Sequence, residues 1–170
     1  STEHSLSASS LTFTTSNWDT AQTVTVTGVD DSLDDGDITT TLTATASNTG
    51  GYAGTETAST TLKTSDNETA GITIAQTGTT DGSGNLLTTE AGSTSTFTVV
   101  LDAEPTADVT VTLSGADSTE HSLSASSLTF TTSNWDTAQT VTVTGVNDTI
   151  VDGDITTTLT ATASNTGGYA

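Results

Sequence analysis

Apolar residues along this chain return at every second position, in short runs separated by turns rich in glycine, serine, asparagine and aspartate. The runs fall at residues 11–13, 22–27, 38–44 and 60–64, then at 70–74, 97–101, 109–113, 128–130, 140–144 and 155–163. A period of two places alternate side chains on opposite faces of a strand, so each run predicts a half-buried β-strand. Threonine supplies 47 of the 170 residues, and its β-branched side chain suits a pleated surface. No segment has a helical period. Short strands joined by tight polar turns predict an all-β fold, an Ig-like antiparallel β-sandwich of about seven strands.

One stretch of the pattern occurs twice. Residues 1–53 return as residues 118–170, a period of 117, and only four of the 53 aligned positions differ. Asp30, Ser32, Leu33 and Asp34 become Asn147, Thr149, Ile150 and Val151, all within one acidic loop. A period of this length is a domain and not a solenoid turn, so the chain reads as a window on tandem repeats. Residues 1–69 then hold the last strands (D–G) of one repeat, and residues 70–170 hold strands A–F of the next. Phe13 and Phe130, and Trp18 and Trp135, are expected in the core as large aromatics. Tyr52 and Tyr169 follow a Gly-Gly pair after the long strand, where Ig-like sandwiches carry a corner tyrosine.

Charge narrows the function classes. One basic residue, Lys63, stands against 21 acidic ones, for a net charge of −20. Such a surface repels nucleic acid and anionic membrane, which both select Lys and Arg. It suits hard divalent cations, which take carboxylate oxygens. Cysteine is absent, which excludes a disulfide framework and a thiolate metal site. There is no apolar run long enough for a transmembrane helix, and no signal peptide, which a chain opening in mid-repeat would not display.

The acidic residues gather in turns. Asp30, Asp31, Asp34, Asp35 and Asp37 crowd one loop, and the second copy has Asn147, Asp148, Asp152 and Asp154 there. Asp66, Asn67 and Glu68 close the repeat, and Glu90 precedes the strand at 97–101. Carboxylates meeting at one end of a sandwich repel unless a cation lies among them, and Ca²⁺ takes 6–8 oxygen ligands. The plain alternative is a solvated acidic turn. Asp81-Gly-Ser-Gly-Asn85 imitates an EF-hand opening, but Leu86 and Gly92 stand where that loop requires Gly and Glu. His4 and His121 occupy equivalent surface positions with no partner base or thiol, and no catalytic constellation is present, so no enzyme is expected. The sequons at Asn67 and Asn147 lie in the candidate ion loops and are read as coincidence.

The period carries Glu90-Ala-Gly92, Phe97-Thr-Val-Val-Leu101, Pro105-Thr-Ala-Asp-Val109-Thr-Val, Leu128-Thr-Phe-Thr, Asn134-Trp135, Gln139-Thr-Val-Thr-Val-Thr-Gly-Val146, Asp152-Gly-Asp154 and Asp66-Asn67. With these it resembles the Calx-beta-like Ig-fold repeats of large bacterial surface and type-I-secreted (RTX-type) adhesins. That resemblance implies Ca²⁺ bound at one end of the sandwich. By position it implies ligands at Glu90, at Glu3 and Glu120, at Asp30-Asp31 and Asn147-Asp148, at Asp35 and Asp152, and at Asp66-Asn67-Glu68. The chain departs from the family in its Asp-Asn-Glu terminal run, where three Asp are usual, and in Asn147. The expected role is a calcium-stabilised structural extender of an extracellular adhesin or biofilm-matrix fibre. Its expected partners are neighbouring copies of the same repeat, in tandem or head to tail, and not nucleic acid, membrane or a small substrate. The rival is a cell-surface module that binds a glycan or another cell through its loops. Such a face favours clustered aromatics and Arg, whereas aromatics are 4 % here and Arg is absent.

Overall fold

A computed structural model of the chain describes residues 3–169. The structure is all-β and antiparallel in its sheets, and no described residue is helical. Among the described residues no helix is long and apolar enough to cross a membrane. The chain forms two compact units. The first runs up to Asp31 and resumes at Asp35–Asn67; the second comprises Ser32–Asp34 and the chain from Glu68 onward.

The first unit has two two-stranded sheets. β1 (His4–Leu6) pairs antiparallel with β2 (Val26–Gly28), and β3 (Ile38–Thr45) with β4 (Thr57–Thr64). The β3–β4 ladder runs from Ile38 opposite Thr64 to Thr45 opposite Thr57. Leu62 is half-buried on β4. No described residue of this unit is buried. Phe13 is 53 % exposed and Trp18 is 70 % exposed, against the expectation that both are core residues. Residues 11–13 and 22–25 form no strand. The physical reason is in the second unit, where the equivalent residues pack beneath strands that the first unit lacks.

The second unit holds β5 (Ile72–Gln76), β6 (Thr94–Leu101), β7 (Val109–Ser114), β8 (His121–Leu123), β9 (Ser127–Phe130), β10 (Gln139–Gly145) and β11 (Thr160–Ala163). They form a four-stranded sheet in the order β5-β6-β10-β8 and a three-stranded sheet in the order β11-β7-β9. Burial alternates along β6, β7, β9 and β10 as the period-two pattern requires. The inward residues of both sheets meet in one core: Phe97, Val99, Leu101, Val141 and Val143 from the first, Val109, Val111, Leu113, Leu128 and Phe130 from the second. Two sheets sharing one core are consistent with a sandwich. Trp135 packs half-buried against this core. Tyr169 is buried; its hydroxyl donates to the Ala103 carbonyl (2.7 Å) and accepts from the Ala103 N–H (3.1 Å). Its equivalent Tyr52 is exposed.

Two features escape the sequence pattern. β1 and β8 are three residues long and read His-Ser-Leu, too short for an alternation to register. The predicted strand at 155–163 is a strand only from Thr160, where β7 pairs with it.

Candidate metal centre

The start of β1 and the end of β2 lie side by side, because the ladder continues one step beyond the strands: the Val29 N–H donates to the Glu3 carbonyl at 2.9 Å. The chain leaving β2 is the acidic loop, so Glu3 and the loop carboxylates are neighbours by construction. Glu3, Asp31 and Asp35 each offer a carboxylate oxygen within 4.8 Å of the others. Glu3 and Asp31 are half-buried and Asp35 is exposed. The Thr64 hydroxyl of β4 also donates to the Glu3 carbonyl, at 3.2 Å, which fixes the backbone under the cluster.

The second unit builds the same group 117 residues on. The Val146 N–H donates to the Glu120 carbonyl at 2.8 Å, joining the start of β8 to the end of β10. Glu120, Asp148 and Asp152 again lie within 4.8 Å of one another, with the same pattern of burial. Gly153 follows Asp152 with φ of 78°, and Gly36 follows Asp35 with φ of 77°. A side chain there would be strained, and this left-handed step turns the loop back after the third carboxylate.

The other predicted ligands separate into different roles. Asp37 forms an ion pair with Lys63 (2.5 Å) and accepts the Asp66 N–H at 3.0 Å. Those contacts, the Lys63 hydrogen bond first, hold its carboxyl below its ordinary range. Asp66 accepts the Gly36 N–H at 2.6 Å, so the terminal acidic run reaches the turn that follows Asp35. Asn67 and Glu68 close that run where the two units divide. Asp34 accepts the Ala70 N–H at 2.7 Å within the second unit. Asp30 and Asn147 are exposed next to the clusters, and Asp30 is outside the three-carboxylate group. Glu90 and Asp154 are exposed on a cleft that Glu120 also lines, and neither belongs to the group. The Asp81 carboxylate accepts the Ser83 and Asn85 N–H groups at 2.8 Å each and the Asn85 side-chain amide at 2.9 Å. That loop is closed on itself by an Asx turn, not opened toward an ion.

Sequence reasoning missed Asp117. Its carboxylate accepts the Thr119 hydroxyl at 2.6 Å and the Thr119 N–H at 3.0 Å, and its carbonyl accepts the Glu120 and His121 N–H groups. This turn delivers Glu120 to the cluster. The signal was present as Asp-Ser-Thr, a side chain capping the backbone two residues on. The Thr119 hydrogen bonds lower the Asp117 pKa. A depressed folded pKa contributes stability above the unfolded value of about 3.9, and that stability is lost as pH falls through the folded value. Asp117→Ala is therefore expected to flatten the acid limb of the stability curve below about pH 4, leaving neutral pH less stable than the parent. Urea melts at stepped pH check this; parallel acid limbs in parent and variant would refute it.

Carboxylates this close repel one another, which favours a positive charge nearby. Lys63 is the chain's one basic residue and pairs with Asp37. The chain from Glu68 onward contains no Lys or Arg. The donor set is all hard oxygen, which matches Ca²⁺ or Mg²⁺ and not a thiolate- or imidazole-seeking metal. Neither family models, curated proteins nor solved structures match this chain.

Proposed function

We propose that the chain is a calcium-stabilised structural repeat from an extracellular array, of the Calx-beta-like, Ig-fold kind that extends bacterial surface or matrix proteins. The observation that carries the reading is the recurrence of one carboxylate triad, Glu3/Asp31/Asp35 and Glu120/Asp148/Asp152, in two copies 117 residues apart. Around the first triad the acidic loop has changed at four positions, yet all three carboxylates persist in the second. Strand order adds support. The sheet order β5-β6-β10-β8 matches the A-B-E-D order of an Ig-type sandwich and β11-β7 matches F-C, while β9, on the far side of β7, has no counterpart in that seven-strand lettering.

In this role Glu3, Asp31 and Asp35 hold one ion, and Glu120, Asp148 and Asp152 another, with backbone oxygens and water completing each shell. A bound divalent ion offsets the clustered negative charge of each triad. The residues themselves tie the start of the short strand β1 or β8 to the long loop after the strand it pairs with, β2 or β10. The result is a stiffer end of the domain, a mechanical role with no catalysis. Asp30 adds a charge beside the first triad and Asn147 adds none beside the second, so the first site binds more tightly.

Calorimetric titration of Ca²⁺ into the chain tests the reading. Two binding events are expected. Asp31→Asn with Asp35→Asn removes the tighter one, and Asp148→Asn with Asp152→Asn removes the weaker. A chain that takes up no Ca²⁺ would end the proposal.

A further inference from the structure

The sequence contains three Asp-Gly dipeptides, Asp35–Gly36, Asp81–Gly82 and Asp152–Gly153. An Asp-Gly pair has its own covalent chemistry. The glycine nitrogen attacks the carboxyl carbon of the aspartate side chain, unhindered because glycine has no Cβ. A five-membered succinimide forms and reopens with water at either carbonyl. One product is the original aspartate. The other is isoaspartate, in which the backbone runs through the former side chain. The rate depends on how the fold holds the nitrogen and the carboxylate. Asp35–Gly36 and Asp81–Gly82 are held in opposite ways.

At Asp81 the carboxylate is held. Both of its oxygens accept hydrogen bonds, from the Ser83 and Asn85 N–H groups and from the Asn85 side-chain amide. Those bonds, the Asn85 side chain first, keep the Asp81 carboxyl below its ordinary range. Ring closure expels one of these oxygens, so charge-assisted hydrogen bonds have to break first. At Asp35 the nitrogen is held, and its partner is a base. The Gly36 N–H donates to the Asp66 carboxylate at 2.6 Å, inside the reach of a general base, about 2.6–3.2 Å. The β3–β4 ladder brings the two together. Its last pair is Ile38 opposite Thr64, and Gly36 and Asp66 each lie two positions beyond that pair. The Asp66 N–H donates to Asp37 at 3.0 Å, and Asp37 is itself paired with Lys63, which anchors the base. Gly36 is exposed, and the space where a Cβ would stand is open, so water reaches the dipeptide.

We infer that Asp35–Gly36 is a self-modifying site that converts to isoaspartate with Asp66 as its base, and that Asp81–Gly82 is protected from the same reaction. The Gly36 nitrogen attacks Cγ of Asp35, the N–C bond forms, and one carboxyl oxygen leaves as water. Of the two protons on that water, one comes from the Gly36 N–H by way of Asp66 and the other from solvent. Water then opens the succinimide at the Asp35 backbone carbonyl and gives isoaspartate, returning the solvent proton. The sum is an isomerisation with no change in mass. The product has one more methylene in the backbone and one fewer in the side group. Its carboxylate is displaced from Glu3 and Asp31, so the first triad loses its third member. The conversion itself is independent of bound ions.

The test is prolonged incubation of the full chain with EDTA at neutral pH and physiological temperature. Cleavage after glutamate then gives peptides 4–56, 69–90 and 121–170, each with one of the dipeptides. Electron-transfer mass spectrometry distinguishes isoaspartate from aspartate in each. Conversion is expected at Asp35 at least about tenfold faster than at Asp81, whose carboxylate has to be freed from its donors. Asp66→Asn keeps the size of the side chain and an acceptor oxygen but removes the base. It is expected to slow conversion at Asp35 by at least about tenfold and to leave Asp81 and Asp152 unchanged. In concentrated urea the parent is expected to convert more slowly at Asp35 and faster at Asp81, because unfolding takes the base from one and the donors from the other. That reversal is read on the parent chain and decides the matter should Asp66→Asn misfold. The proposal is overturned if isoaspartate fails to form at Asp35, or forms there no faster than at Asp81. It is equally overturned if a folded Asp66→Asn chain converts as fast as the parent, or if urea speeds conversion at Asp35.

Discussion

Phe130→Ala is expected to destabilise the second unit by about 3–5 kcal/mol, while Phe13→Ala changes the stability of the chain by less than about 0.5 kcal/mol. The two residues are the same amino acid in the same local sequence, 117 positions apart. Phe130 is wholly buried, on a strand flanked by β7 and facing the β6–β10 sheet; Phe13 is 53 % exposed. Truncating Phe130 removes its apolar burial and leaves a cavity between two sheets that cannot collapse onto it. Truncating Phe13 removes a ring already in water. For a unit of roughly 100 residues the first loss lowers the melting midpoint by at least about 12 °C. Thermal melts of the two variants check the contrast. Equal losses would mean that the first unit is as well packed as the second, and would refute the structural comparison between them.

The same pair shows how far the sequence could be read. Local hydrogen bonds are written in it and recur in both copies. The Asn17 and Asn134 side chains accept the Thr14 and Thr131 N–H groups, and Gln22 and Gln139 both donate to a carbonyl ten residues back, at Thr12 and Thr129. Alternation was likewise sufficient for β6, β7, β9 and β10, whose inward residues are apolar at every second position. Burial was not legible, because it depends on strands distant in sequence. Leu128 and Phe130 are buried because β7 lies beside them; Leu11 and Phe13 lack such a strand and stay exposed. Strand length failed for the same reason at 155–159, where an identical sequence becomes a strand only next to a partner.

At the candidate metal centre, the triads were contained in a longer set of acidic residues. Spacing alone did not separate Asp35, which joins the cluster, from Asp37, which turns to Lys63 two residues later. Alternation in an irregular loop follows the turn at Gly36 and not a strand period, so the direction of each carboxylate is a tertiary property. Glu90 lies far from the loop in sequence and was implied by resemblance. In the structure it lines the cleft, outside the three-carboxylate group.

Chelation is expected to lower the melting midpoint of the second unit, and a substitution that removes its charges is expected to reverse the sign of the effect. Two like charges about 4.8 Å apart repel by about 1 kcal/mol even in bulk water, and Glu120, Asp148 and Asp152 make three such pairs. With EDTA present, that repulsion acts against the fold. Calcium at a hundred times its Kd adds about 2.7 kcal/mol per site, or about 10–20 °C for a unit of this size. The variant Glu120→Gln, Asp148→Asn, Asp152→Asn keeps side-chain shape and loses the charge. It should therefore melt above the parent in EDTA and below the parent in excess calcium, with no calcium response of its own. Trp18 is 70 % exposed, so Trp18→Phe in both chains leaves Trp135, packed against the core, as the fluorescent reporter of this unit. A merely solvated acidic loop predicts a different result: the neutralised variant melts above the parent in both conditions, since relief of repulsion is then the only effect. The crossing of the two curves distinguishes an ion site from a charged turn without knowledge of the affinity.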